Sequence, residues 1–143
     1  MISLDTTVVA KLFFDEDRAD LARMLFAEAV RSNEPIIAPP LLQCELVSVV
    51  RRKMRREGVP LAEASSILDD MLSLPIDIQD DPELYRLALR LTERYSLSAF
   101  DAQFVALSTL TGCDLWLDDE RALAAIAGRL PHFRRLADYP GTR

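Results

Sequence analysis

The sequence is poor in the residue types that build most metal sites, disulfide frameworks and phosphate-binding loops. It has a single histidine, and its two cysteines, Cys44 and Cys113, lie far apart with no CxxC spacing, so nothing supports a Cys/His zinc site. Both cysteines lie in apolar runs, which favours buried free thiols over a disulfide. Only four glycines occur and none follows the first predicted strand, which disfavours a Rossmann or P-loop nucleotide site.

Long apolar runs and an excess of basic charge are also missing. No run reaches the roughly 18 residues of a membrane span, and the first residues lack the basic segment of a signal peptide. We therefore expect a cytoplasmic protein without a membrane partner. Seventeen basic residues against 23 acidic ones give a net charge of −6, which disfavours nucleic-acid binding by bulk charge alone. The same balance is compatible with a small basic patch beside an acidic, metal-binding site.

What is present is an alternation of short strands and longer helices over 143 residues, a length that suits one domain. Apolar, β-compatible runs predict strands at 2–4, 35–38, 75–78, 113–117 and 133–136. Helical spacing of apolar residues begins near residues 8 and 21 and predicts further helices at 41–56, 61–74, 82–94, 99–111 and 120–127. This order predicts an α/β domain of three layers, with a parallel sheet of four to five strands and about seven helices.

Ligands of such sheets bind outside the carboxyl ends of the strands, so the residues that follow each strand are the first candidates for a site. Asp5 follows the first strand directly, although it could equally be a helix N-cap. Glu45 lies in a largely apolar helix, where a carboxylate needs a cation, a hydrogen bond or an arginine partner.

Two further acids stand at predicted helix starts. Asp101 is in the sequence Ser98-Ala99-Phe100-Asp101, which has the form of a capping box. Its helix is so apolar that its start is expected to abut the sheet. Asp118 and Asp119 follow the fourth strand, so one of them can cap the next helix while the other is free for a different role.

If the strand order brings these ends together, Asp5, Glu45, Asp101 and Asp119 converge. Carboxylates that converge without histidine or thiolate favour a hard cation such as Mg²⁺ or Mn²⁺. Mutual repulsion of the like charges favours the same cation. The chemistry that uses such a cluster is metal-assisted attack of water on a phosphodiester.

Four segments resemble the acidic motifs of the PIN-domain family. They are LDTTVVAKLF at 4–13, CELVSVVRR at 44–52, SAFDAQFVAL at 98–107 and LDDERAL at 117–123. The resemblance covers residues 2 to about 127 of a single domain spanning 1–143. Each motif is weak alone, but four in this order at compatible spacing are specific.

The length and the lack of an accessory domain are most similar to VapC-type toxins of bacterial toxin–antitoxin pairs. The resemblance implies a Mg²⁺-dependent endoribonuclease, with Mn²⁺ as the other possible ion, that cuts structured RNA such as tRNA or rRNA. It also implies a homodimer that a cognate antitoxin inhibits, with DNA bound only indirectly through that antitoxin.

Carried over residue by residue, the resemblance makes Asp5, Glu45, Asp101 and Asp119 the catalytic acids. Asp5 and Asp101 would bind the metal, with Glu45 and Asp119 joining directly or through water. Hydrogen-bonding support would come from Thr6, Ser48 and Asp118. Two positions depart from the family pattern, because Ser48 stands where Asn is frequent and Leu117 stands where Thr or Ser is frequent.

Five cations in six residues end the Glu45 helix, namely Arg51, Arg52, Lys53, Arg55 and Arg56. They are candidates for contact with RNA or the antitoxin, and the alternative is a solvated face that pairs with the helix dipole. Trp116, Tyr85, Phe100 and Phe104 are expected in the core.

Two alternative functions differ in what they require. A PIN-like module that binds an antitoxin or another partner with little catalysis is favoured by the missing hydroxyl at Leu117. A phosphatase of the haloacid-dehalogenase type would need Asp-x-Asp after the first strand, where this chain has Asp5-Thr6-Thr7. A phospho-receiver domain would need a lysine late in the chain, and the only lysines are Lys11 and Lys53.

Overall fold

The computed structural model describes residues 1–141 and contains a five-stranded parallel sheet. Its strands are β1 (Ile2–Leu4), β2 (Ile36–Ala38), β3 (Ile76–Ile78), β4 (Asp114–Leu117) and β5 (Phe133–Arg135), in the order β3-β2-β1-β4-β5. The chain winds outward from β1 in both directions, so β1 and β4 are neighbours at the centre of the sheet. Leu4 pairs with Trp116, which brings the residues after both strands to the same edge.

Seven α-helices in the described residues cover the sheet. They are α1 (Thr6–Ala10), α2 (Ala19–Arg31), α3 (Leu41–Glu57), α4 (Leu61–Leu72), α5 (Pro82–Tyr95), α6 (Ala99–Thr111) and α7 (Glu120–Ile126). A 3₁₀ turn, Leu136–Asp138, follows β5. The three-layer α/β fold predicted from the alternation of elements is therefore confirmed. Gly112 ends α6 with a φ of 68°, a left-handed conformation that glycine adopts without strain.

The core is one cluster of apolar side chains between the sheet and its helices. Leu4 and Leu115 of the central strands are almost fully buried. The middle of helix α6, from Ala102 to Ser108, is largely buried, which accounts for its apolar sequence there. Its first turn lies next to the carboxyl ends of β1 and β4, as the apolar pattern predicted.

Several burial predictions are wrong. Phe100 is 59% exposed and Tyr85 is also exposed, whereas Phe104 is buried and Trp116 is partly buried against the core. Of the two free cysteines, Cys113 is buried but Cys44 is exposed. Helical spacing identified the faces of these elements, but it did not show where a neighbouring element stops covering a face.

Within residues 1–141, no helix combines the length and apolar character that crossing a bilayer requires.

Candidate active site

Asp5 is held at the start of α1 by the residues that follow it. Its Oδ1 accepts hydrogen bonds from the Thr7 hydroxyl at 2.6 Å and from the Val8 amide at 3.1 Å. Asp5 is therefore an N-cap, but the capping role does not separate it from the site. The backbone amide of Asp5 is bonded to Trp116 O of β4, so the carboxyl lies at the centre of the sheet edge.

Burial raises the pKa of Asp5 from 3.8 to about 7. The hydrogen bonds from Thr7 and Val8 oppose this rise, and the negative charges of Asp119 and Glu45 add to it. A carboxyl group in this position is costly to ionise unless a cation is near. Among residues 1–141, none of the ion pairs involves Asp5.

Glu45 reaches the same edge from α3. Its Oε1 accepts a hydrogen bond from the Thr6 hydroxyl at 2.8 Å, and the residue is half-buried. Burial raises its pKa, the Thr6 bond lowers it, and the charge of Asp101 raises it again. The direct partner of the Glu45 carboxylate is therefore the Thr6 hydroxyl and not an arginine. Arg52 lowers the Glu45 pKa from a distance, without a direct ion pair.

Asp101 and Asp119 occupy the helix starts that the sequence assigned to them. The Ser98 hydroxyl accepts from the Asp101 amide at 3.0 Å and donates to Asp101 Oδ2 at 2.8 Å, so the two side chains bond to each other. The carboxylate of Asp119 caps α7, and both capping bonds, from Arg121 N and Ala122 N, go to Oδ1.

The structure brings all four predicted acids to one edge of the sheet. Asp5 and Asp101 line one small hollow, while Glu45 and Asp119 line an adjoining cleft of about 480 Å³. The pKa of Asp5 responds to Asp119 and Glu45, and the pKa of Glu45 responds to Asp101. The four charges therefore form one electrostatically linked group.

Asp118 has a different environment from the acid next to it. Its side chain is only 6% exposed and forms ion pairs with Arg18 at 3.0 Å and with Lys11 at 3.3 Å. Its backbone amide donates to the Thr7 hydroxyl at 3.0 Å. Thr7 therefore connects the Asp5 carboxyl to the loop that carries Asp119.

Thr7, Lys11 and Arg18 were not singled out from the sequence as supporting residues. For Thr7 a signal existed, because a hydroxyl two residues after an N-cap aspartate often bonds to it. Arg18 offered none, since its partner Asp118 is 100 positions away. Arg18 has a φ of 60°, an unfavourable conformation for a residue with a side chain, and its ion pair stabilises it there.

The two positions that depart from the family pattern both lie at the site. Leu117 is buried in the hollow shared by Asp5 and Asp101, where it contributes apolar surface. Ser48 is exposed, and it lines a second cleft that also contains Glu45.

Sequence comparison identifies this arrangement. The profile described as "PIN domain" matches residues 2–129, most of the chain and all four acids. The chain belongs to the PIN-domain family. A search of curated proteins finds no match.

The PIN fold is also found in a solved structure. The crystal structure of PAE2754 from Pyrobaculum aerophilum superposes with a TM-score of 0.70 over 95% of this chain and 89% of that chain. The two sequences are 18% identical, so this likeness supports the fold alone.

PIN domains are generally nucleases that use divalent metal ions, and the side chains at this edge of the sheet offer oxygen donors to such an ion. Within residues 1–141, no three carboxylate, histidine or cysteine side chains are assembled as a ready-made cage. Mg²⁺ does not need one, because it keeps several waters and is often held by one or two carboxylates together with substrate phosphate. The oxygen-only donors and the partly buried Asp5, which has no cationic partner in residues 1–141, fit such an ion.

Proposed function

We propose that this PIN domain is a Mg²⁺- or Mn²⁺-dependent endoribonuclease that hydrolyses phosphodiester bonds in RNA of the tRNA or rRNA class. We further propose that it acts as the toxin of a toxin–antitoxin pair and is neutralised by its antitoxin. The observation that carries the nuclease proposal is the partly buried Asp5 carboxyl, which feels the charges of Asp119 and Glu45, shares a hollow with Asp101, and pairs with no cation of residues 1–141.

In the proposed reaction, Asp5 and Asp101 would hold the cation, and Glu45 and Asp119 would join them directly or through water. The bound cation would supply positive charge to activate water and to neutralise the phosphate. Glu45 is suited to accept the proton of the attacking water because burial raises its pKa. The Thr6 and Thr7 hydroxyls keep the Glu45 and Asp5 carboxylates in place.

The toxin role rests on the resemblance to VapC-type proteins and on an apolar groove available to a partner. The groove lies between α3 and α4 and is lined by Val47, Met54, Leu61 and Leu68, with Leu61 69% exposed. Such a surface suits an antitoxin helix or the second copy of a homodimer. DNA binding would come only through the antitoxin.

The nuclease proposal is tested by incubating the purified protein with total tRNA and rRNA in Mg²⁺, in Mn²⁺ and in EDTA. We expect discrete fragments with either metal, none in EDTA, and none from an Asp5→Asn variant. Asp81→Asn is the matched control, because Asp81 is also an N-cap aspartate but lies at the start of α5. Cleavage that persists in EDTA or in Asp5→Asn would contradict the proposal.

The toxin proposal has its own test. Induced expression of the wild-type chain should arrest bacterial growth, whereas Asp5→Asn expressed to the same level should not. A chain that cleaves RNA in vitro but leaves growth unchanged would contradict the toxin role and leave the nuclease.

The alternative function is a PIN-like module that binds an antitoxin or another partner with weak catalysis. Leu117 favours it, because a buried leucine in the hollow of Asp5 and Asp101 offers the cation no hydroxyl. A folded protein that binds no divalent metal and cuts no RNA would support this alternative. Leu117→Thr would then be expected to raise metal affinity.

A further inference from the structure

Phe100 is an exposed aromatic residue at the edge of the acidic site. It precedes Asp101 in the first turn of α6 and is 59% exposed. Phe104, one turn further along the same helix, is buried in the core. Exposed apolar residues are common on protein surfaces, so what distinguishes Phe100 is its place beside the acidic site and not its exposure alone.

Phe100 and α3 line the same cleft of about 470 Å³. From α3 the lining includes Glu45 and three arginines, Arg51, Arg52 and Arg55. An aromatic face beside clustered guanidinium groups is the combination that proteins use for single-stranded nucleic acid, because the ring stacks on a base and the cations bind phosphate.

The five cations at the end of α3 fall into two groups, Lys53 alone and the four arginines Arg51, Arg52, Arg55 and Arg56. Lys53 is already engaged, since its ammonium group pairs with Glu16 and Glu57, each at 3.2 Å, and lies 4.7 Å above the Phe14 ring. The four arginines take part in no ion pair with any residue in 1–141. The arginines that line the Phe100 cleft are therefore available to a ligand, and Lys53 is not.

We propose that Phe100 with Arg51, Arg52 and Arg55 forms a subsite for one unpaired nucleotide of an RNA strand. The base stacks on Phe100, and the flanking phosphates contact the arginines. This inference rests on the proposed function and names its substrate class. Because a base inside a duplex is stacked on its neighbours, the subsite selects loops, bulges or single-stranded ends over paired regions.

Binding without cleavage tests the subsite. The probe is a short single-stranded oligoribonucleotide containing 2-aminopurine, measured in EDTA so that no metal-dependent cleavage occurs, with a blunt duplex of the same sequence beside it. We expect tighter binding of the single strand and quenching of the 2-aminopurine fluorescence. Phe100→Ala should weaken single-strand binding by about fivefold or more and leave duplex binding unchanged.

Two further variants separate stacking from general apolar contact. Phe100→Trp should retain the affinity and the quenching, because the ring face is kept. Leu89→Ala is the control for removing exposed apolar surface, since Leu89 is 74% exposed on α5, and it should bind as the wild type does. Arg55→Gln should lower the salt dependence of binding by about one counterion.

Cys44 gives an independent readout because it lines the same cleft and is exposed, whereas Cys113 is buried. The single-stranded probe should slow the reaction of Cys44 with a thiol reagent in the wild type. It should slow the reaction less in Phe100→Ala.

Equal single-strand binding by Phe100→Ala and the wild type would overturn the subsite, and so would an unchanged rate of Cys44 labelling. A change of oligomeric state in Phe100→Ala would assign this ring to an interface between copies and would also overturn it. Single-strand binding through Phe100 in a protein that never cleaves RNA would keep the subsite and reject the nuclease. RNA cleavage to which Phe100 makes no contribution would keep the nuclease and reject the subsite.

Discussion

Asp5 and Asp118 are two carboxylates that follow neighbouring central strands, but they differ in the charges that surround them. Asp118 is shielded from water and compensated by two cations, Arg18 and Lys11. Asp5 is partly buried and receives two hydrogen bonds. The charges that act on it, those of Asp119 and Glu45, are negative, and its pKa is raised to about 7.

The difference separates a structural carboxylate from one that fits an external cation. A buried charge needs a partner, and the fold supplies partners for Asp118 from Arg18, which is 100 positions earlier in the chain, and from Lys11, which is earlier still. For Asp5 the fold supplies hydrogen bonds that keep the carboxyl oriented. The Thr7 hydroxyl connects the two residues, because it donates to the Asp5 carboxylate and accepts from the Asp118 amide.

The largest expected effect is the loss of cleavage in Asp5→Asn. Asparagine can keep the N-cap bond to Val8, so we expect a folded protein whose cleavage rate falls to background. RNA cleavage in Mg²⁺ and the circular dichroism spectrum measure the two outcomes. Cleavage near the wild-type rate would place the metal chemistry elsewhere.

Asp118→Asn should have its main effect on stability. Removing the charge leaves Lys11, whose side chain is 10% exposed, without its strongest buried partner. We expect a loss of about 2–3 kcal/mol in the free energy of unfolding, measured by urea denaturation. Asp114→Asn is the control, because its pair with Arg134 is exposed and should be worth at most about 1 kcal/mol. Equal losses in the two variants would contradict the distinction.

Because the pKa of Asp5 is raised in the folded state, the stability of the protein should fall as pH rises. In EDTA, the unfolded chain loses the Asp5 proton near pH 3.8 and the folded chain loses it only near pH 7. The folded state therefore binds more protons between these values, and its stability falls as pH rises through that window. Urea titrations from pH 4 to 8 measure the unfolding free energy of the wild type and of Asp5→Asn. As pH rises, the wild type should lose stability relative to the variant, and this loss should level off above about pH 7. A difference that does not vary with pH would show that Asp5 titrates normally.

The smallest expected effect is that of Thr7→Val. It removes the stronger of the two hydrogen bonds that lower the Asp5 pKa, and it leaves the Asp118 amide without its acceptor. We expect a stability loss of about 1–2 kcal/mol together with weaker metal binding at pH 7. Thr7→Ser keeps the hydroxyl and should behave as the wild type in both measurements. If Thr7→Ser fails as Thr7→Val does, the methyl packing matters and not the hydroxyl.

The elements of this fold were predictable because local signals agreed with tertiary structure. Short runs with apolar, β-compatible residues mark the strands. Ser98 marks the start of α6 by its capping hydroxyl, and Gly112 marks its end by its left-handed conformation. The exposure of Phe100 was not predictable, because α6 is apolar on nearly every face. The packing of α5 and of the strands β1 and β4 against α6 decides which part of that helix stays uncovered.

The four acids of the site could be found from their positions after strands and at helix starts. What sequence reasoning could not supply is which carboxylate has a cationic partner. Asp118 and Asp119 are adjacent and chemically identical, and their different environments arise from Arg18 and Lys11, which the fold brings in from another part of the chain. Pairings over such sequence distances leave no local signal.

The most direct test of the central claim is calorimetric titration of the metal-free protein with Mn²⁺ and Mg²⁺ at pH 6 and pH 8. If Asp5 holds the cation, the wild type and Asp81→Asn bind it, more tightly at pH 8 and with proton release at pH 6. Asp5→Asn then shows no binding at either pH. Binding of equal strength in Asp5→Asn and the wild type, or no binding in the wild type at pH 8, would contradict the account.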